Sequence, residues 1–156
     1  MIYVTDVEIT AETAETAPER VVLKVTRGLV YRIEIEIPEQ SVGLVGVQVY
    51  DGGFQVWPIN PGEWLKTAYG VISFDDIYLK LQPPFEFTIH GYNSDDTYTH
   101  TPLVRIGLVS PEAYQARYLP TVAYKIFEER LKALEADERK RLEAITAAPF
   151  SWVKEP

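Results

Sequence analysis

The sequence predicts a mainly β fold, an antiparallel β-sandwich of jelly-roll-like type followed by a long C-terminal α-helix. Apolar and charged residues alternate strictly near residue 33, and turn signals recur about every ten residues through residue 110. At Ser110 the pattern changes to a helical period rich in charge. We therefore expect a β-sandwich domain at residues 1–110 and a helical extension with a tail at residues 111–156.

The clearest strand signal lies between residues 29 and 37. Side chains two residues apart point to the same side of a strand, so strict alternation predicts a sheet with one buried and one solvated face. Sheets of that kind are usually antiparallel. The predicted buried set is Leu29, Tyr31, Ile33, Ile35 and Ile37, and the predicted outer set is Arg32, Glu34 and Glu36.

Further strands follow from shorter apolar runs between turn residues. Asp51-Gly52-Gly53 predicts a tight hairpin, and Pro83-Pro84 predicts a break. The predicted strands occupy residues 2–9, 21–25, 44–50, 54–57, 71–74, 77–81, 85–90 and 97–109. Their regular spacing is typical of a sandwich, a jelly roll or a small barrel.

The last third of the chain predicts helix. Ser110 suits the N-cap and Pro111 the first helical position, and a second helix after Pro120 is expected to run to about Thr146. That helix carries a single apolar seam, which packs either on its own sandwich or on a neighbouring subunit. The candidate interface residues are Phe127, Leu131, Leu134, Leu142, Ile145, Phe150 and Trp152.

Composition excludes several classes of function. The net charge is −8, and the acidic excess lies in the first 110 residues, which argues against nucleic-acid binding. The absence of cysteine removes disulfides, thiolate nucleophiles and zinc–thiolate sites. No apolar run is long enough to span a membrane, and residues 1–6 do not resemble a signal peptide. We expect a protein kept in the cytoplasm or incorporated into a virus-like particle.

Candidate catalytic residues are few. The chain has no nucleophile elbow and no phosphate-binding glycine loop. His90 and His100 flank the turn at residues 93–96, so one interpretation is a cupin-like metal centre. The simpler interpretation is two polar residues on the solvated face of a hairpin. The acidic pairs at residues 75–76 and 95–96 are expected to form turns and point away from any shared site. We assign no catalytic, metal or cofactor-binding residue.

Three functions remain open at this point. The leading hypothesis is a non-enzymatic structural protein that forms homo-oligomers or decorates a larger particle, such as a virion, through its aromatic surface and C-terminal helix. The alternatives are a β-sandwich module that binds a carbohydrate or another ligand, and a cupin-like metal enzyme that uses His90 and His100. The aromatic residues considered for binding are Tyr50, Trp57, Trp64, Tyr69, Tyr78, Tyr92 and Tyr98. The scarcity of Asn, Gln, Met and Cys also fits a thermophilic source.

Overall fold

The computed structural model describes residues 1–118 and eight separate positions beyond them. Those eight positions are all helical and exposed: Lys125, Glu129, Lys132, Ala133, Ala136, Arg139, Lys140 and Glu143. The chain divides into two compact units, Met1–Pro111 and Glu112–Pro156. Each unit is described by itself.

The first unit contains eight strands and one short 3-10 helix at Glu39–Ser41. The strands are β1 (Ile2–Asp6), β2 (Glu19–Lys24), β3 (Gly28–Ile37), β4 (Val45–Asp51), β5 (Phe54–Trp57), β6 (Gly70–Lys80), β7 (Glu86–Asn93) and β8 (Leu103–Val109). The first sheet has the order β1-β8-β3-β6 and the second the order β2-β7-β4-β5. All strand pairs are antiparallel, which confirms the predicted architecture of two antiparallel sheets.

The strand pairs are nested in the sequence: the first strand pairs with the last, the second with the next to last, and so on inward. β1 pairs with β8, β2 with β7, β3 with β6, and β4 with β5. Every connection crosses from one sheet to the other except the hairpin between β4 and β5. That hairpin turns at Gly52, which has a φ of 57°, a conformation that glycine adopts without steric cost. The predicted Asp51-Gly52-Gly53 turn is therefore confirmed.

The core lies between the two sheets and comes from alternate positions on their strands. Ile33, Ile35 and Ile37 of β3 are fully buried, whereas Arg32, Glu34 and Glu36 form ion pairs on the outer face. The alternation predicted for residues 32–37 is confirmed. The opposite sheet contributes Val45, Val47, Val49, Phe87 and Ile89, and strand β8 contributes Val104, Ile106 and Leu108.

A β-bulge breaks this alternation near the start of β3, and the prediction for Tyr31 was wrong. The register of β3 shifts between Val30 and Arg32 against both neighbouring strands. Val30 is fully buried, and the Tyr31 ring covers Gly107 of β8, where any Cβ would collide with it. A bulge inserts one residue and reverses the facing of the residues that precede it.

Other strand boundaries also differ from the prediction. The first strand ends at Asp6 rather than at residue 9. The two strands predicted at residues 71–74 and 77–81 form a single strand, β6 (Gly70–Lys80), with the acidic pair at residues 75–76 inside it. The last strand begins at Leu103 rather than at residue 97. Asp95 accepts the backbone N–H of Thr97, and this local bond turns the chain before the strand begins.

The second unit begins with helix α1, which spans Pro111–Tyr118 and starts at the predicted proline. The longer helix expected to reach residue 146 stays a prediction, because most of its residues lie outside the described part of the chain. All seven candidate interface residues between Phe127 and Trp152 also lie outside it. No helix in the described part is long and apolar enough to cross a membrane.

Candidate functional site

A groove opens along one side of the sandwich, where edge strand β5 of the second sheet faces edge strand β6 of the first. We call it the edge groove. It is lined by residues 54–60, Leu65, Phe74 and residues 76–78, and it encloses about 620 Å³. A recess of this size falls within the range of binding pockets, roughly 300–1,000 Å³.

Aromatic rings form the floor of the edge groove. The Trp57 ring meets Tyr78 edge-on at 5.5 Å between centroids and lies 5.5 Å from Phe87. Trp57 is only 4% exposed, and its indole N–H donates to Asp76 Oδ2 at 2.7 Å. This bond joins β5 to β6, so Trp57 connects the two sheet edges across the bottom of the groove.

A polar cluster lies next to Tyr78, one of the residues that line the groove. Lys80 at the end of β6 is 3% exposed, and its ammonium group binds Asp51 at the end of β4. The Tyr78 hydroxyl donates to the other oxygen of Asp51 at 2.7 Å. Burial first, and then this bond to Asp51, raise the pKa of Tyr78 to about 12, so Tyr78 stays neutral and donates at physiological pH.

Exposed apolar side chains form the rim. Phe54 is 82% exposed, Ile59 is 79% exposed and Ile77 is 63% exposed. The side-chain amide of Gln55 holds the loop that carries Ile59, because it donates to the carbonyl oxygens of Pro58 (2.6 Å) and Asn60 (3.0 Å). The rim residue Ile59 thus sits on a loop fixed by hydrogen bonds.

The other predicted aromatic residues do not line the edge groove. Trp64 packs edge-on against buried Tyr92 at 4.7 Å, directly over Gly46, where a Cβ would collide with the Tyr92 ring. Tyr50 stacks on His90 at 4.2 Å. Tyr69 and Tyr98 are exposed. With the Trp57 and Trp64 rings packed in this way, neither ring stands free as an exposed platform for a sugar.

The two histidines have different environments. His100 is buried, and its Nε2 lies 2.9 Å from Asp95 Oδ2, so Asp95 faces a histidine rather than pointing away as expected. Burial, and then the nearby Arg20, lower the pKa of His90. No group of three histidine or acidic side chains suited to a metal ion occurs among the described residues. Within this part of the chain the geometry gives no support to a shared metal centre.

The Asp95 pair predicts an acid-sensitive step in stability. The backbone N–H of Thr97, and then the His100 ring, hold the pKa of Asp95 below its usual value. The carboxylate therefore stabilises the fold above its unfolded pKa of about 4, and that contribution is lost as the pH falls through the lower folded pKa.

Below about pH 4, we expect the free energy of unfolding of an Asp95→Asn variant to fall less steeply with decreasing pH than that of the wild type. The difference between the two slopes corresponds to at most roughly one bound proton. Urea denaturation at a series of pH values measures the slope directly. Equal slopes for the variant and the wild type would contradict the role given to Asp95.

Sequence reasoning missed the rim of the edge groove. Phe54 and Ile77 were treated as strand residues and Ile59 as a loop residue, because no local pattern shows that these side chains are exposed. Trp57 and Tyr78 were noted as aromatic residues, but their place at the floor depends on two strands from different sheets.

No protein-family model matches the chain, and no curated protein sequence is significantly similar to it.

Proposed function

We propose that this protein is a non-catalytic assembly subunit that associates with further copies of itself through the edge groove. The observation that carries the proposal is the exposed apolar rim, formed by Phe54, Ile59 and Ile77 at the open edges of both sheets. Exposed apolar residues gathered around a groove are typical of protein interaction sites, because water is released when they are covered.

The polar groups of the groove support binding rather than catalysis. Both Asp76 oxygens already accept hydrogen bonds, one from Trp57 and one from the backbone N–H of Ile77. The Tyr78 hydroxyl is committed to Asp51. An acid–base or nucleophilic mechanism requires such groups to face the substrate, and a sugar site requires several of them for hydroxyl recognition.

The nested strand pairing supports a jelly roll as the finer description of the sandwich. Jelly rolls occur in viral capsid proteins, lectins and cupins, so the fold by itself does not choose among structural, sugar-binding and enzymatic functions. The apolar character of the edge groove favours the structural role. Within that role, the subunit forms part of a larger particle, and the C-terminal helical region adds to its contacts.

The proposal predicts that a charged residue introduced at the rim causes the assembly to dissociate. In Phe54→Asp and Ile77→Asp variants, a buried carboxylate would lack a partner in the interface. We expect each variant to weaken self-association at least about thirty-fold, as for an interface residue worth 2 kcal/mol or more. Light scattering across a concentration series gives the native mass.

The matched controls are Val4→Asp in β1 and Val22→Asp in β2, two exposed apolar positions on the opposite edges of the two sheets. These variants add the same charge and should keep the wild-type mass. A wild-type protein that stays monomeric at every concentration contradicts the proposal, as does an assembly that the rim and control variants weaken equally.

A further inference from the structure

We propose that two copies associate about a two-fold axis at the middle of the edge groove, so that Phe54 of each copy packs against Ile59 of the other. This inference rests on the proposed self-association and specifies its geometry. A two-fold contact uses the same surface of both copies, and a residue on the axis meets its own counterpart. In this arrangement Ile77 lies on the axis.

The three rim residues lie at successive levels along the groove. Phe54 begins β5, and Ile59 follows the end of that strand at Trp57 by two residues, so these two side chains mark opposite ends. On the facing strand, the residue before Ile77 binds Trp57. The residue after Ile77 binds Asp51, which pairs with Phe54 in the hairpin. Ile77 therefore lies between the two ends, where a two-fold axis would relate one end to the other.

The side chains at both ends are held in place before any partner binds. Within the described chain, a Cβ added at Gly52 or Gly53 would meet no atom within 4 Å, so the turn before Phe54 is unobstructed. The loop that carries Ile59 is fixed by the hydrogen bonds of Gln55. Groups that are already ordered lose less conformational entropy on association. Each copy thus presents an apolar side chain at either end of an apolar recess.

The distribution of charge favours a second copy as the occupant. A net charge of −8 makes two copies repel each other unless they meet on a face without excess charge. Among the described residues that line the groove, the charged side chain is that of Asp76, and its oxygens accept hydrogen bonds from Trp57 and Ile77. Asp75 faces the outer surface instead, where it binds Arg32 at 3.0 Å.

The position of the axis also keeps the outer acidic groups of the two copies apart. Asp75 lies two residues from Ile77 on β6. A two-fold axis at Ile77 places the two Asp75 residues on opposite sides of it, about 13 Å apart along the strands. At physiological ionic strength the screening length is about 8 Å, so their repulsion is largely screened.

The opposite edges of the two sheets match the groove less well. Edge strand β2 has exposed charged side chains at three of its six positions, Glu19, Arg20 and Lys24, whereas β5 has none. A head-to-tail contact would cover those charges with apolar side chains, which costs free energy. A two-fold contact covers apolar side chains with apolar side chains, and it is therefore the favoured arrangement.

Single cysteine variants test this geometry, because the natural chain contains no cysteine. Each full-length variant is treated with a short bis-maleimide, at a concentration where light scattering shows assembly, and is then run on a denaturing gel. Most Ile77→Cys chains should form a crosslinked dimer, since the two thiols meet at the axis. Phe54→Cys and Ile59→Cys should each remain uncrosslinked alone. Mixed in equal amounts, they should crosslink in at most about half of the dimers, because random pairing joins unlike copies in that share.

The matched controls are Val4→Cys in β1 and Val22→Cys in β2, on the opposite edges of the sheets, which should remain uncrosslinked alone and when mixed with Phe54→Cys. Crosslinking of Phe54→Cys to either control would indicate a head-to-tail contact and overturn the inference. So would the absence of a crosslink both in Ile77→Cys and in the mixture. In either case the proposed function still stands if Phe54→Asp dissociates the assembly. A wild-type protein that is monomeric at every concentration contradicts both.

Discussion

Replacing Asp51 with alanine is expected to lower the free energy of unfolding by about 3–5 kcal/mol, as for other broken buried ion pairs. Lys80 is 3% exposed, and Asp51 is its ion-pair partner among the described residues. The ammonium group also lies 5.4 Å from the centre of the Phe87 ring, but an aromatic ring has no net charge and does not neutralise the lysine. The variant therefore leaves a buried charge uncompensated and removes the acceptor of the Tyr78 hydroxyl.

The informative comparison is Lys80→Met, which removes the other partner and keeps most of the side-chain volume. Asp51 keeps 21% of its side chain exposed and still accepts the Tyr78 hydroxyl, so its charge stays partly hydrated. Removing one partner of a buried pair is costly when the remaining charge is cut off from water, but here the remaining carboxylate is partly exposed. We therefore expect Lys80→Met to cost much less than Asp51→Ala.

Urea denaturation of both variants, followed by circular dichroism, provides the measurement. An equal loss in the two variants would mean that the pair itself, rather than the stranded lysine, sets the cost. A loss below about 1 kcal/mol for Asp51→Ala would place Lys80 in water and contradict the burial described here.

Replacing Phe87 with alanine is expected to cost about 3–5 kcal/mol, the usual range for a large buried aromatic residue. Phe87 is fully buried in β7 and lies beneath Trp57 and Tyr78. Its removal would leave a cavity under the floor of the edge groove, since both neighbouring rings are held by hydrogen bonds to Asp76 and Asp51.

The control for this prediction is Phe54→Ala. The same side chain is removed, but Phe54 is 82% exposed, so the free energy of unfolding should change by no more than about 0.5 kcal/mol. Thermal unfolding of the two variants under dissociating conditions measures the difference. If Phe54→Ala proves as costly as Phe87→Ala, Phe54 contributes to the fold and is not a free rim residue.

The sequence predicted those parts of the fold that depend on local pattern. Alternation in residues 32–37 identified the buried face of β3, and two adjacent glycines identified the hairpin after Asp51. The bulge at Tyr31 was missed because a period of two contains no information about an inserted residue. β6 was divided in two because adjacent aspartates usually mark a turn, whereas here the strand continues through them, with Asp75 bound to Arg32 and Asp76 bound to Trp57.

The edge groove was beyond such reasoning because it depends on strand order. β5 and β6 are consecutive in the chain but belong to different sheets, and no local pattern indicates that both are edges. The same holds for the buried Lys80, which sequence alone would place in solvent. Tyr78 is two residues from Lys80 on the same strand, but only the packing of the two sheets brings Asp51 to them both.

The nested order of the strands also bears on how the molecule is made. β1 completes its hydrogen bonding only when β8 arrives, about a hundred residues later, as the bond between the Met1 ammonium and the Leu108 carbonyl oxygen illustrates. Contacts between such distant residues slow folding, because a long loop must close before they can form. Nearly the whole β region must therefore leave the ribosome before β1 can pair with β8. Until then, the unpaired β1 can form incorrect pairs with neighbouring nascent chains.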